Sequence, residues 1–139
     1  MVTKFKPIVS SGNPSYISKH RYYELKHFCL QYPEWKAKYR DLQSYIYTRS
    51  VVKTCKDDGM VTANLDSIGI ELSYISKNID LIEQTCDEVD STIAKYLLLA
   101  ITEERTYSNL KTVYDIPCGR EYFYVRYRKF FYILDKKRG

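Results

Sequence analysis

A chain of 139 residues with 22 Lys/Arg against 17 Asp/Glu, net charge +5, has room for one domain or for two small helical lobes. Its longest apolar run is Tyr96–Ile101 (YLLLAI), far short of the roughly 18–20 residues of a membrane span. The opening MVTKFKPIVSSGNPS lacks the apolar core of a signal peptide, so a cytoplasmic protein with no membrane partner is expected.

Cys29, Cys55, Cys86 and Cys118 are spread along the chain with no CxxC pair, which argues against disulfides and zinc knuckles. A mixed site using His20, His27 and Cys29 lacks the two close pairs of structural zinc. No metal and no cofactor are expected. Fifteen tyrosines suit a small core, an interface or a stacking surface, because each ring is apolar and each tip polar. Charge is laid out in blocks. Residues 1–56 carry eleven bases against three acids (+8), residues 57–90 one base against nine acids (−8), and residues 91–139 ten bases against five acids (+5). An acidic segment between basic ones either packs against them or repels a polyanion that both ends attract.

Residues 1–15 read as a flexible arm, since SSGNPS is turn chemistry with little to bury. Ser18 is an N-cap for a helix whose face is Tyr22, Leu25, Cys29 and Tyr32; Pro33 should stop it at Tyr32. Pro33 suits the first turn of the next helix, with Glu34 near its positive end. That helix carries Trp35, Tyr39, Leu42 and Ile46 as an apolar stripe. Lys53–Thr62 reads as a loop around Asp58-Gly59.

Leu65, Ile68, Leu72, Ile75, Ile79, Ile82, Cys86 and Val89 then alternate at spacings of 3 and 4, a heptad pattern over four heptads. The phase runs on through Ile93, Tyr96 and Ala100, yet Asp90-Ser91-Thr92 looks like a cap, so a break is expected near Asp90. Glu71, Glu83 and Asp90 flank the seam without basic partners. Packing on the basic N-terminal helices therefore makes better electrostatic sense than a parallel coiled coil, with an intermolecular coil the rival. No strand-like alternation occurs. The expected fold is all-α, with an N-terminal helical pair, a long heptad-patterned helix and a C-terminal helix-turn-helix. The expected division is an arm at 1–15, a packing or dimerisation region at 16–90 and a DNA-binding region at 91–139.

In the C-terminal region Ile93, Leu97, Ala100 and Ile101 give a first buried helix. Thr106 caps a second, with Tyr107, Leu110 and Val113 or Tyr114 inward, and Ile116 plugs a three-residue turn at Asp115-Ile116-Pro117. A third helix follows Pro117 and runs to about Asp135, with Phe123, Tyr127, Phe130 and Leu134 as its core face. The rest of its arc holds Arg120, Tyr124, Arg128, Lys129 and Tyr132, with Arg126 at the flank. Arg and Lys neutralise phosphates, Arg also reads guanine bidentately, and Tyr bonds phosphate or packs on a thymine methyl. Lys136, Lys137 and Arg138 could extend the phosphate track. With Asn109 and Lys111 of the preceding helix, these make the expected double-stranded-DNA contact set.

An enzyme is not expected. There is no HExxH, phosphate-binding glycine loop or nucleophile elbow. His20 and His27 are two turns apart with Glu24 between them, which fits a solvated helix face; Cys118 beside Arg120 could have a lowered pKa but fits packing in the turn.

The stretch LLLAITEERTYSNLKTVYDIPCGREYFYVRYRKFFYIL resembles the C-terminal helix-turn-helix of phage regulators of the RinA/ArpU type, which resembles in turn the promoter-reading region of sigma factors. Thr106, Tyr107, Leu110, Ile116 and Pro117 match that pattern. Lys111 stands where a small residue is usual, Asp115 where Gly is usual, and one extra residue follows Pro117. The resemblance covers about forty-five residues. It implies a phage or prophage gene acting on late, packaging or structural operons in a bacterial host. A sequence-specific regulator of this kind is expected to be a homodimer reading two half-sites, with host RNA polymerase a further candidate partner. Two other functions fit the residues. A counter-defence protein could use acidic 57–90, or the basic C-terminal helix, against a host defence nuclease of CRISPR type; a small terminase-like packaging protein is the third.

Overall fold

The computed structural model describes residues 16–52 and 59–139, with side chains from 50 to 64 set aside; the expected arm at 1–15 and most of the expected loop lie outside that range. Among the described residues the chain is all helical. The elements are α1 (Lys19–Leu30), α2 (Tyr32–Val52), α3 (Gly59–Val89), α4 (Ala94–Glu103), α5 (Tyr107–Tyr114) and α6 (Arg120–Arg138).

The Ser18 hydroxyl accepts from the Arg21 amide at 3.2 Å, satisfying one of the donors that a helix start leaves open. The bend after α1 falls earlier than the sequence suggests. Gln31 closes the helix with a tight bond to the Phe28 carbonyl at 3.3 Å, and Tyr32 already belongs to α2. Pro33 forces this, because its ring would strike the carbonyl four residues back if α1 ran on. The α3 helix begins at Gly59, so residues 59–62 are helical where a loop was expected. At its other end the break falls as expected: α3 stops at Val89, and Asp90 Oδ1 accepts from the Thr92 amide at 3.0 Å.

The chain forms two compact units. One joins residues 16–31 to 81–139, and the other is Tyr32–Asp80. This partition cuts across the 90/91 boundary read from the sequence. The reason is tertiary: α1 packs against α4 and α6, while α4 also packs against α5 and α6.

Aromatic rings on one side of α6 organise the first unit. Phe123, Phe130, Phe131 and Leu134 are fully buried. Tyr107 meets Phe123 at 5.9 Å between centroids, Tyr127 meets Phe131 at 5.1 Å, and Tyr22 of α1 meets Phe131 edge-on at 5.0 Å. Each buried Phe contributes on the order of 2–3 kcal/mol. Phe131 was not on the core face read from spacing. It is buried because α1 covers a second strip of α6, with Arg21 Nε donating to Asp135 at 2.6 Å and the Tyr22 and Tyr127 hydroxyls 3.2 Å apart.

In the second unit α2 turns Trp35 inward and leaves Tyr39, Leu42 and Ile46 half-buried; α3 buries Ile75 and Ile79 and leaves Leu65, Ile68 and Leu72 half-buried. Lys38 Nζ lies 2.7 Å from Glu71. Lys137 likewise meets Glu88 at 2.7 Å and Arg126 meets Asp90 at 3.2 Å in the first unit. Each pair joins a basic block of the sequence to the acidic one. Partly exposed pairs of this kind are worth roughly 0–1 kcal/mol each, so they orient more than they stabilise.

Candidate nucleic-acid interface

The α5–α6 elbow is built from its caps. Thr106 Oγ1 accepts from the Asn109 amide at 3.1 Å and starts α5. Asp115 ends it in the left-handed conformation, φ 51°, with its amide on the Lys111 carbonyl at 3.1 Å. That conformation explains why glycine suits the position: an L side chain there costs roughly 1–2 kcal/mol, which Asp and Asn tolerate best. The connection is longer than the expected three residues, since Asp115–Gly119 separates the helices. Gly119 serves as the N-cap of α6 with no side-chain bond, while Ile116 is fully buried and the Tyr107 hydroxyl donates to the Cys118 carbonyl at 2.6 Å. Cys118 itself is half-buried, and desolvation pushes its thiol up rather than down.

Around this elbow the sequence-predicted contact residues separate into groups. Arg120 is exposed at the start of α6; its Nη2 donates to Ser108 Oγ at 3.0 Å and its guanidinium lies 5.2 Å from the Tyr107 ring. Tyr124 is half-buried, leaning on Phe123 and Tyr127, with its hydroxyl 3.5 Å from the Tyr107 amide. Asn109 accepts from Arg105 at 3.1 Å. Lys111 is exposed and reaches Asp115 at 3.3 Å. Arg126 is drawn to Asp90, with its guanidinium 4.3 Å from the Tyr122 ring. The Tyr122 hydroxyl donates to the same Asp90 oxygen. This cluster holds the Asp90 carboxyl below its ordinary range, the Tyr122 bond being the main cause, and raises Arg126. At the far end Lys137 is tied to Glu88 and to the Thr85 hydroxyl, and the Arg138 guanidinium sits 3.8 Å from the Phe28 ring. Arg128 is half-buried, whereas Lys129 and Lys136 are exposed, Lys136 lying over Tyr132 at 5.3 Å.

The outward arc of α6 is therefore Glu121, Tyr122, Val125, Lys129, Tyr132 and Lys136, edged by Arg128. The sequence reading left out Glu121, Tyr122 and Val125, the last two 44% and 40% exposed. The signal was present: at 100° per residue, Val125 lies opposite the Phe123–Tyr127–Phe130–Leu134 strip.

Elsewhere His20 and His27 are exposed while Cys29 is fully buried, so the three do not converge. Among the described residues no group of three or more His, Cys, Asp or Glu side chains is placed to hold a metal ion, and no helix is long and apolar enough to cross a membrane. Burial pushes the thiols of Cys29 and Cys86 far up. The chain matches no protein-family model, no curated protein and no solved structure.

Proposed function

We propose that this protein binds duplex DNA with the outward arc of α6 and regulates transcription, as its likeness to phage regulators of the RinA/ArpU type suggests. The observation that carries this reading is the locked elbow. Tyr107, Ile116 and Phe123 hold α5 and α6 from inside, so α6 stands as a rigid rod with Arg128, Lys129, Tyr132 and Lys136 along its outer side. A rod of this kind fits a major groove, where cations meet phosphates and a tyrosine or Val125 meets thymine methyls.

The charges along the helix support one stretch of it as the contact. Glu121 occupies the first turn of α6, a favourable place for the helix dipole but one that repels phosphate. Docking therefore centres on the stretch from Val125 to Lys136 rather than on the first turn. The test is a fluorescence-anisotropy titration of labelled duplex at several salt concentrations. Engagement of phosphates by Arg128, Lys129 and Lys136 gives a log–log slope of about −3. Absence of binding at low salt, or binding indifferent to salt, rules this function out. Sequence preference is then read by competition between the chain's own upstream DNA and random duplex.

A further inference from the structure

We infer, resting on the duplex-binding reading above, that α6 selects its duplex by 5-methyl groups on the floor of the major groove, read by Val125 and Tyr132. Phe123, Phe130 and Leu134 turn one side of α6 into the core. At 100° per residue Val125, Tyr132 and Lys136 fall close to the line directly opposite, with Lys129 about 40° to one side of it and Arg128 about 60° to the other. The crown of the helix is therefore a branched aliphatic side chain and a ring, and a cation stands on each flank. Val125 is 40% exposed. Tyr132 is half-buried, with Lys136 Nζ 5.3 Å from its ring centre, so the ring is braced on one face.

The flanks and the crown meet different parts of a duplex. Cations on both sides fit the two phosphate strands that wall the groove, which presses the crown rather than an edge to the floor. Most base edges there are told apart by hydrogen bonds. Val125 has no side-chain donor or acceptor, and the ring edge of Tyr132 has none either. What they can recognise is the one apolar group that a base pair presents in that groove, the thymine 5-methyl. A 5-methylcytosine carries the same methyl at the same ring position and should be read equally. Val125 and Tyr132 are seven positions apart and nearly in line, which sets them about 10 Å apart along the axis. At about 3.4 Å per base step that span fits two methyls about three base pairs apart.

Fluorescence anisotropy of the full chain with four duplexes of equal length tests this. They are an A·T duplex of mixed order, its A·U counterpart lacking the 5-methyls, a G·C duplex of mixed order, and its 5-methylcytosine counterpart. Burial of each methyl should tighten binding about fourfold, so each methylated duplex binds roughly fifteenfold better than its unmethylated partner. Salt slopes should be the same within each pair. Two T·A pairs set into the G·C duplex should bind best when about three base pairs apart. Val125→Ala and Tyr132→Ala should each cut the methyl preference to about fourfold and leave the salt slope unchanged, while Tyr132→Phe keeps the full preference. Lys129→Ala changes the slope and not the preference. Salt-dependent binding that ignores the methyls in both pairs overturns methyl reading and leaves duplex binding standing. A preference for A·T over A·U with none for 5-methylcytosine over cytosine also overturns it, since DNA shape would then be the cause. No binding to any of the four at low salt overturns both.

Discussion

The hydroxyl of Tyr107, the first residue of α5, donates to the backbone carbonyl of Cys118 at 2.6 Å and so clamps both ends of the α5–turn segment together. Tyr107→Phe keeps the ring on Phe123 and deletes the bond. Thermal denaturation should show a loss of about 1 kcal/mol, or roughly 3–5 °C in Tm. An unchanged Tm would mean that the elbow is held by Ile116 and Phe123 alone.

Asp115 sits at φ 51° without the freedom of glycine. Asp115→Gly removes the steric cost and gives up only the exposed pair with Lys111. Denaturant unfolding should show stabilisation by roughly 0.5–1 kcal/mol. Destabilisation would show that the aspartate side chain holds the turn in a way that outweighs its backbone strain.

Asp90 links the α3–α4 break to α6 through Tyr122 and Arg126, and those bonds lower its pKa in the folded chain from 3.8. A depressed carboxyl stabilises the fold above its unfolded pKa, and that gain disappears as pH falls through the lower folded value. The stability gap between the unmodified chain and Asp90→Asn should be level from neutrality down towards pH 3.8 and close below it. Urea midpoints measured across that range check this; a gap that does not change with pH would place the effect in packing instead.

At the alkaline end the half-buried Tyr127 governs. Desolvation, followed by the nearby Tyr22, raises its pKa well above 10.0. The unfolded chain therefore releases this proton first, and the contribution, full below pH 10.0, is lost as pH rises beyond it. Tyr127→Phe costs about 1 kcal/mol at neutral pH by breaking the bond to Tyr22, and its relative stability should recover above pH 10.0. Parallel stability curves for the two proteins would contradict this.

Two lysines on α6 should behave differently. Lys129 is exposed on the outward arc, whereas Lys137 is bonded to Glu88 and Thr85. Lys129→Ala should reduce the salt slope of duplex binding by roughly 0.9 and leave Tm unchanged. Lys137→Ala should leave the slope unchanged and lower stability by about 0.5–1 kcal/mol. Equal slope changes would mean that the C-terminal turn also touches phosphate.

Periodicity and capping were legible in the chain because both are local. Ser18 and Thr106 could be named as caps from their place before an apolar stripe, and each accepts the amide three residues on. The heptad of α3 marks its buried side from Ile75 to Val89, and the end of that helix was written in Asp90. The start of α3 and the length of the α5–α6 connection were not legible, since glycine at position 59 or 119 is as compatible with a turn as with a helix end.

By itself, then, the sequence determined where most of the helices lie and the main apolar stripe of each, since spacing and caps act over a few residues; the stripe of α5 nonetheless ends at Leu110, with Val113 and Tyr114, one of which was expected inward, both exposed. Only the tertiary structure decided which polar groups on α6 face outward. Arg126 turns to Asp90, 36 positions away, Lys137 to Thr85, 52 away, and Asp135 to Arg21, 114 away. A helical wheel shows every cation on the far side as equally exposed. The choice among them depends on which acid another helix brings within hydrogen-bonding reach, and that is settled when α1 and the end of α3 join α4 and α6 in one core.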